Sequence, residues 1–310
     1  MRTVRATSAL VAFALCNFAV KDAPAAADFQ VDAIAPGVFV HSGKLLPLDV
    51  PGHDDIANLA FVVGARCVAV IDTGGSVRTG RALRDAVRQR TQLPVCFVID
   101  THVHVDHVLG NAAFRTDRPK FVGHAKLGAA LARSRELFLH DYAGDLDSPA
   151  SADQIVAPDV AVADTLDLDL GGRTLRLRAW PNAHTDCDLT ALDVASGTLF
   201  AGDLLFRERI PALDASAKGW LAAIGELRTL DVRRVVPGHG PVATDIAAAF
   251  APERRYLQAL VDGVRAAIAK GEPMSDALTT VALGEKPNWR LWDSAHAHNV
   301  ARAWQQLEWE

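Results

Sequence analysis

The sequence predicts an α/β fold in which two sheets pack face to face with helices on their outer sides. Three observations carry this expectation. Strand-like runs fall into two groups along the chain, each accompanied by helix-like segments, an order that a single parallel sheet explains less well. Two glycine-containing hairpins mark the second group, at Gly171-Gly172 and at Ser196-Gly197. No internal repeat or low-complexity linker divides the 310 residues, so one domain is expected after residue 27.

In the first group, apolar runs at 38–41, 59–63 and 68–71 read as strands, the last of them ending at Asp72-Thr73-Gly74-Gly75. A helix is expected over 77–89, where Ala82, Leu83, Ala86 and Val87 share a face. Pro94 closes that connection. The continuous apolar run 95–99 has the form of a strand buried on both faces, and it delivers the chain to Thr101-His102. Residues 108–114 read as a short buried helix, 121–122 as a resumed strand, 125–140 as a helix and 145–158 as a polar loop.

The second group opens with Leu166, Leu168 and Leu170 alternating on one side of Gly171-Gly172, and Leu175, Leu177 and Ala179 on the other. Runs at 189–194 and 198–201 form the next hairpin and stop at Gly202-Asp203. A helix over 218–230 leads to a strand at 234–236, which ends at Pro237-Gly238-His239-Gly240-Pro241. The remainder, 247–310, reads as a C-terminal helical part with one stretch to about residue 270 and another from 294 onward.

Half of the residues are hydrophobic, as a packed protein of this length requires, and the formal net charge is −5. Lys and Arg are spread along the chain without a basic stripe, which argues against a nucleic-acid surface. The first residues have the three-part form of a secretory signal: Arg2 and Arg5, an apolar stretch over 9–20, then Ala25-Ala26-Ala27 before Asp28. Cleavage after Ala27 is expected, which places the protein in the periplasm or outside the cell. That apolar stretch of about a dozen residues falls short of the roughly 20 that cross a bilayer. A lipid anchor on Cys16 is the alternative, but Leu15 stands where a small residue is needed. Loss of residues 1–27 removes Arg2, Arg5, Lys21 and Asp22 and leaves 29 basic against 36 acidic side chains. Of the three cysteines that remain, Cys67 and Cys96 sit in strand-like apolar runs and are read as buried thiols. An oxidising compartment would permit a disulfide between them without requiring one.

Chemistry concentrates in His102-x-His104-x-Asp106-His107, four potential metal ligands within six residues, directly after a buried strand. Imidazole and carboxylate are donors that suit zinc, and a tight loop can aim them at two neighbouring points. A lone histidine is more often structural; the cluster reverses that balance. His184, Asp203 and His239 each follow a strand or a turn signal, with Gly202, Gly238 and Gly240 allowing close backbone approach. A turn or cap role is an equal reading for Asp203 taken alone.

These residues resemble the metallo-β-lactamase superfamily of metallohydrolases. The resemblance runs from about 38 to 241 and rests on Asp72 in the Asp-Thr-Gly turn, the His-x-His-x-Asp-His loop, His184, Asp203 and His239. It implies a four-layer αβ/βα sandwich with the site along one edge. It further implies two zinc ions, the first held by His102, His104 and His184, the second by Asp106, His107 and His239, with Asp203 bridging them. Asp72 would support the metal loop without being a ligand. Asp72 and Asp186 are candidates for supporting a histidine, with a solvated carboxylate as the equal alternative. The antibiotic-degrading branch usually lacks an aspartate where this chain has Asp203, and many of its members carry cysteine there. The chain looks more like the broader hydrolase branches, such as the glyoxalase II type. Cys187 is displaced from the cysteine-ligand position and reads as a pocket-side or structural thiol. A narrower similarity, in His184-Thr185-Asp186-Cys187-Asp188-Leu189, Arg209 to Asp214 and Glu308-Trp309-Glu310, is to exported zinc metallohydrolases found with periplasmic quinoprotein systems, relatives of the sulfur-oxidation-associated members.

The expected reaction is hydrolysis of a small-molecule ester, thioester or related bond by a water that two zinc ions share and acidify, with Asp106 orienting that nucleophile. Two other readings are a metal-dependent binding or accessory protein of a quinoprotein dehydrogenase and a β-lactamase. The complete set of seven donors favours the hydrolase. Residues 45–55 are a candidate loop over the site, with an ordinary surface turn as the equal alternative. Arg207, Glu208 and Arg209 are candidates to face substrate, with solvent favoured for at least two of them. His296 and His298, two residues apart, cannot share a helix face; core or surface roles are expected, with one of them reaching the pocket as the alternative.

Overall fold

The structure, a computed structural model, describes residues 29–310; the expected signal segment and Cys16 lie outside the described residues. The chain begins with β1 (Asp32–Ala35), β2 (Val38–His41), β3 (Leu59–Val63) and β4 (Val68–Ile71), then α1 (Val77–Arg90), β5 (Val95–Ile99), the single turn α2 (Val105–Val108), β6 (Lys120–His124), α3 (Leu127–Asp141) and β7 (Val160–Val162). The second half runs β8 (Thr165–Asp169), β9 (Thr174–Ala179), β10 (Leu189–Asp193), β11 (Thr198–Phe206), α4 (Ala217–Leu227), β12 (Arg234–His239), α5 (Ile246–Ala269), α6 (Met274–Thr280) and α7 (Trp292–Leu307).

Strands β1 to β7 form one sheet in sequence order and β12-β11-β10-β9-β8 the other. Hairpins join β1 to β4 antiparallel, whereas β4 to β7 run parallel, as the α1 and α3 crossovers require. Three apolar clusters show the layering. Val40, Val62, Ile71, Ile99, Leu175, Leu177 and Phe200 pack between the two sheets. Leu83, Val87, Phe114, Leu131 and Phe138 cover the outer face of the first sheet, and Trp220, Phe250, Tyr256, Leu260 and Val300 that of the second. The result is the four-layer αβ/βα sandwich. β11, buried along all nine residues, has a core on each side, which explains why it is apolar except at Thr198, Gly202 and Asp203. Side-chain caps set the helix starts: Ser76 for α1, Ser216 for α4 and Asp245 for α5 each accept a first-turn N–H.

Strands β1 and β7, of four and three residues, and the seven-residue α6 were not expected. They are too short to display a period. Of the segment read as a short helix over 108–114, Val108 closes α2 and the rest belongs to a 3₁₀ stretch over Leu109–Asp117. Cys67 and Cys96, expected as buried thiols, instead form a disulfide with Cα atoms 5.8 Å apart. The parallel pairing of β4 with β5, Val68 opposite Val95 and Ala69 opposite Phe97, brings the two cysteines together, a neighbour relation that strand-like composition does not carry. Cys187 is buried with Thr185 beside it, a structural thiol whose pKa burial pushes up to about 12.

Candidate metal centre

All seven expected donors meet at one edge of the sandwich. β5 delivers His102, and the turn that follows sets His104 at the head of α2, which carries Asp106 and His107. His184 lies on the connection between β9 and β10, Asp203 within β11, and His239 at the end of β12. Ligand atoms of His102, His104, His184 and Asp203 lie within 4.8 Å of one another, as do those of Asp106, His107 and His239. The Asp203 carboxylate stands between the groups: its Oδ2 is 3.4 Å from both His184 Nε2 and His239 Nε2 and 3.6 Å from His102 Nε2, and its Oδ1 is 3.2 Å from His107 Nε2. Asp106 Oδ2 lies 3.3 Å from His239 Nε2. Glycine is required beside this cluster, because a Cβ on Gly238 would stand 1.8 Å from Asp203 Oδ1.

Each imidazole is fixed by the nitrogen that faces away from the cluster. Asp72 Oδ2 accepts from His107 Nδ1 at 2.7 Å and from the Thr101 hydroxyl at 2.8 Å. Thr101, having donated its proton, accepts from His102 Nδ1 at 3.0 Å. Carbonyl oxygens can only accept, so His184 Nδ1 donates to Ala212 O at 2.7 Å and His239 Nδ1 to Ile56 O at 2.8 Å. His104 is turned the other way: its Nε2 donates to Asp214 Oδ2 at 2.6 Å, which aims Nδ1 inward, 3.0 Å from His184 Nε2. Two lone pairs thus face each other, a contact that only a proton or a cation between them makes favourable. His102 Nε2, His107 Nε2 and Asp203 Oδ1 are buried with no hydrogen-bond partner. Oriented tautomers, orphaned inward nitrogens and two carboxylates are a donor set suited to metal cations.

Charges follow from the same packing. Burial, with His107 beside it, pushes His102 well below the ordinary histidine range, and burial with His104 takes His184 down to about 4, so both present lone pairs. For the carboxylates burial acts the other way and loses: His239 and His107 hold Asp203, and His107 and His239 hold Asp106, below the usual carboxylate range. His107 and His239 are correspondingly raised against their burial, chiefly by Asp203. Two ionised carboxylates in a buried site are the negative charge that cations would neutralise.

A cavity of about 370 Å³ opens onto the cluster, with Asp106, Asp203 and His239 in its floor. Leu48, Leu137, Phe138 and Tyr142 form an apolar wall, so the 45–55 segment does reach the site. It is anchored by Asp54, which accepts from Ser76, Thr79 and Arg78, and by His53, paired with Asp145. Arg209 lines the opposite side, only 9% exposed, and no carboxylate pairs with it among the described residues. Its guanidinium stands 3.5 Å from His239 Nδ1, which is already committed to Ile56 O. Arg207 turns away to the Pro241 and Val242 carbonyls, and Glu208 borders a separate cleft with Lys44.

Asp186 takes the solvated alternative. It forms a surface ion pair with Arg133 at 3.1 Å and braces no histidine; Asp188, two residues on, is the buried carboxylate of that loop and accepts from Thr185 N and Oγ1. His296 is in the core against Tyr256, as expected, but His298 reaches Asp214 at 3.0 Å. Asp214 and Thr101 are the supporting residues that sequence reasoning missed. Thr101 adjoined His102 and could have been found there; Asp214 is 110 residues from His104 with nothing in sequence to join them.

Facing sheets flanked by helices, with a histidine–aspartate cluster along one edge, define a metal-dependent hydrolase. The chain belongs to the metallo-beta-lactamase superfamily, whose family model matches residues 53–239 and whose members are typically zinc-dependent hydrolases. A search of curated proteins gives no match. Among solved structures, it is similar to a metallo-beta-lactamase from Pontibacter korlensis, at 22% identity and a TM-score of 0.59 over 74% of this chain and 99% of that one. A metallo-beta-lactamase family protein from Thermus thermophilus shares 20% identity with a TM-score of 0.63, over 88% and 95% respectively. The stereoselective inverting sec-alkylsulfatase Pisa1 from Pseudomonas sp. shares 17% with a TM-score of 0.66, over 89% of this chain and 50% of that one. At these identities the likeness is one of fold.

Proposed function

We propose that the protein is an exported dinuclear zinc hydrolase that cleaves a small-molecule ester, thioester or related bond whose substrate carries a negative charge. The observation that carries this reading is the tautomer pattern: each of five histidines is held by its outward nitrogen while the inward one is left to a cation. His102, His104 and His184 would hold one zinc ion and Asp106, His107 and His239 the other, with Asp203 between. Bound there, the pair would supply Lewis acidity and a water acidified into the neutral range. Asp106, ionised and open to the cavity, orients that water by accepting its hydrogen. The guanidinium of Arg209 draws an anionic group of the substrate, and the Leu48–Leu137 side takes its apolar part.

Export is supported by the signal-like first residues and by the Cys67–Cys96 disulfide, a bond that persists in oxidising compartments. Association with a quinoprotein dehydrogenase rests on sequence resemblance alone, and co-purification of that partner from a periplasmic extract would support it. The deciding experiment is elemental analysis of the mature protein joined to a hydrolysis screen over ester, thioester, lactone, phosphodiester and β-lactam substrates. The reading expects two zinc ions per chain and turnover of an anionic ester or thioester. Turnover that survives complete metal removal would overturn it, and cleavage confined to β-lactams would replace it with the β-lactamase reading.

A further inference from the structure

Residues 207–216, between β11 and α4, have almost no regular structure, yet they brace two histidines of the cluster. Ala212 O takes His184 Nδ1 and Asp214 Oδ2 takes His104 Nε2. The same segment grips the His184 loop through its backbone: Asp214 N and Ala215 N donate to His184 O, and Ser216 N to Ala183 O. An irregular segment can hold a donor in place only as firmly as it is itself held.

One face of α7 holds it. His298 Nε2 donates to Asp214 Oδ1 at 3.0 Å. Asn299 accepts from Leu213 N at 2.8 Å and donates to Pro211 O at 2.7 Å. Arg302 donates to Asp214 O, while Gln306 accepts from Ala217 N and donates to Ala215 O. Residues 298, 302 and 306 recur every four positions, and 299 adjoins them, so all four project from one side of the helix. Just ahead of α7, Arg290 O accepts from Ile210 N, and Arg290 N donates to Glu208 O. α7 lies beyond residues 53–239, the part that matches the superfamily model.

The second donor group is braced from elsewhere, and the 207–216 segment meets it at its other end, where Arg207 N donates to His239 O. His107 is braced by Asp72 and His239 by Ile56 O, and Asn58 donates to Pro237 O and Gly240 O on either side of His239. The C-terminal helix therefore reaches the His104 and His184 braces through residues 211–217, and among the described residues none of its own side chains bonds a brace of His107 or His239.

We propose that α7 is part of the metal centre: through Asp214 as positioning residue, it sets the affinity of the His102–His104–His184 position while leaving the Asp106–His107–His239 position unaffected. This inference rests on the dinuclear reading above, and its test separates the two. Asp214→Asn keeps the shape of the brace and removes its charge. His298→Ala acts one step further out, at a side chain 53% exposed, so the fold does not depend on it. Zinc affinity of parent and variants is measured by competition with a chromophoric chelator, and cobalt(II) titration followed by absorbance distinguishes the two positions. His184→Ala serves as the marker for the first.

In Asp214→Asn the equivalent that is missing in His184→Ala weakens by about 10- to 100-fold. His298→Ala weakens the same equivalent by a smaller factor, and the other equivalent stays at its parental affinity in both. Equal loss at both positions, or no loss at either, overturns the role of α7 and leaves the dinuclear reading standing. A parent protein that binds fewer than two equivalents overturns both.

Discussion

The two sheets contribute to one site in different ways. The seven-stranded sheet presents four donors from one six-residue stretch and braces two of their rings, His107 directly and His102 through Thr101, with the carboxylate of Asp72. The five-stranded sheet presents three donors from one connection and two strands, and its histidines are braced by backbone carbonyls, Ala212 O and Ile56 O. The bracing also crosses between the halves: Ile56 of the first holds His239 of the second, and Asp214 of the second holds His104 of the first. A carboxylate brace can be deleted by one substitution. A carbonyl brace survives any side-chain change that leaves the loop in place.

The strongest way to test the first sheet's share is Asp106→Ala, which removes a donor and the group proposed to orient the reacting water. Turnover on whichever substrate the screen identifies should fall by about 10³-fold or more, with far-UV circular dichroism unchanged. A variant with full activity and full metal content would show that the compact loop is not the working half. The next effect lies in the scaffold. The disulfide ties β4 to β5, the strands that deliver Asp72 and His102, and closes a sequence separation of 29. Chain entropy gives such a closure about 3–4 kcal/mol. Chemical denaturation of Cys67→Ala/Cys96→Ala should show that loss, and identical midpoints for oxidised and reduced parent would remove it.

The contrast between braces is sharpened by a pair of substitutions. Asp72→Ala strips the support from two histidines, so zinc affinity should fall by about 10- to 100-fold. Ala212→Gly keeps the carbonyl that holds His184, and affinity should stay close to that of the parent. Equal effects in the two variants would mean that the chemical kind of brace does not matter.

The same contrast explains what could be read in the sequence. Four donors in six residues after an apolar run are visible without a structure, because a single loop carries both their identity and their proximity. His184, Asp203 and His239 stood out through the glycines and prolines that punctuate strand ends. Their supports did not. A carbonyl brace has no residue signature, since Ala212 and Ile56 act through atoms that every residue has. Asp214 is one acidic residue among many until α7 and the loop are packed together. Nothing in the sequence distinguishes Asp186 from Asp188, yet Thr185 turns the chain so that Asp188 faces in and Asp186 faces Arg133. The Cys67–Cys96 bond was hidden for a similar reason, since strand adjacency is a property of the sheet and not of either strand.

The smallest expected effect concerns the five-stranded side alone. Arg209 follows β11 and is buried at the cavity wall without a carboxylate partner among the described residues, where a guanidinium can be satisfied by an anion from solution. Replacing it with Gln keeps hydrogen-bonding capacity and removes the charge. The informative quantity is a ratio: kcat/KM for p-nitrophenyl hemiglutarate over that for p-nitrophenyl valerate, two esters of similar reach that differ in a terminal carboxylate. The parent should favour the anionic ester, and Arg209→Gln should cut the preference by about tenfold, the scale of one charge-assisted hydrogen bond. Because both esters meet the same seven donors, a change in the metal centre would move the two rates together. A ratio that stays constant in the variant would therefore assign Arg209 to the fold, and leave substrate choice to the apolar wall contributed by the first sheet.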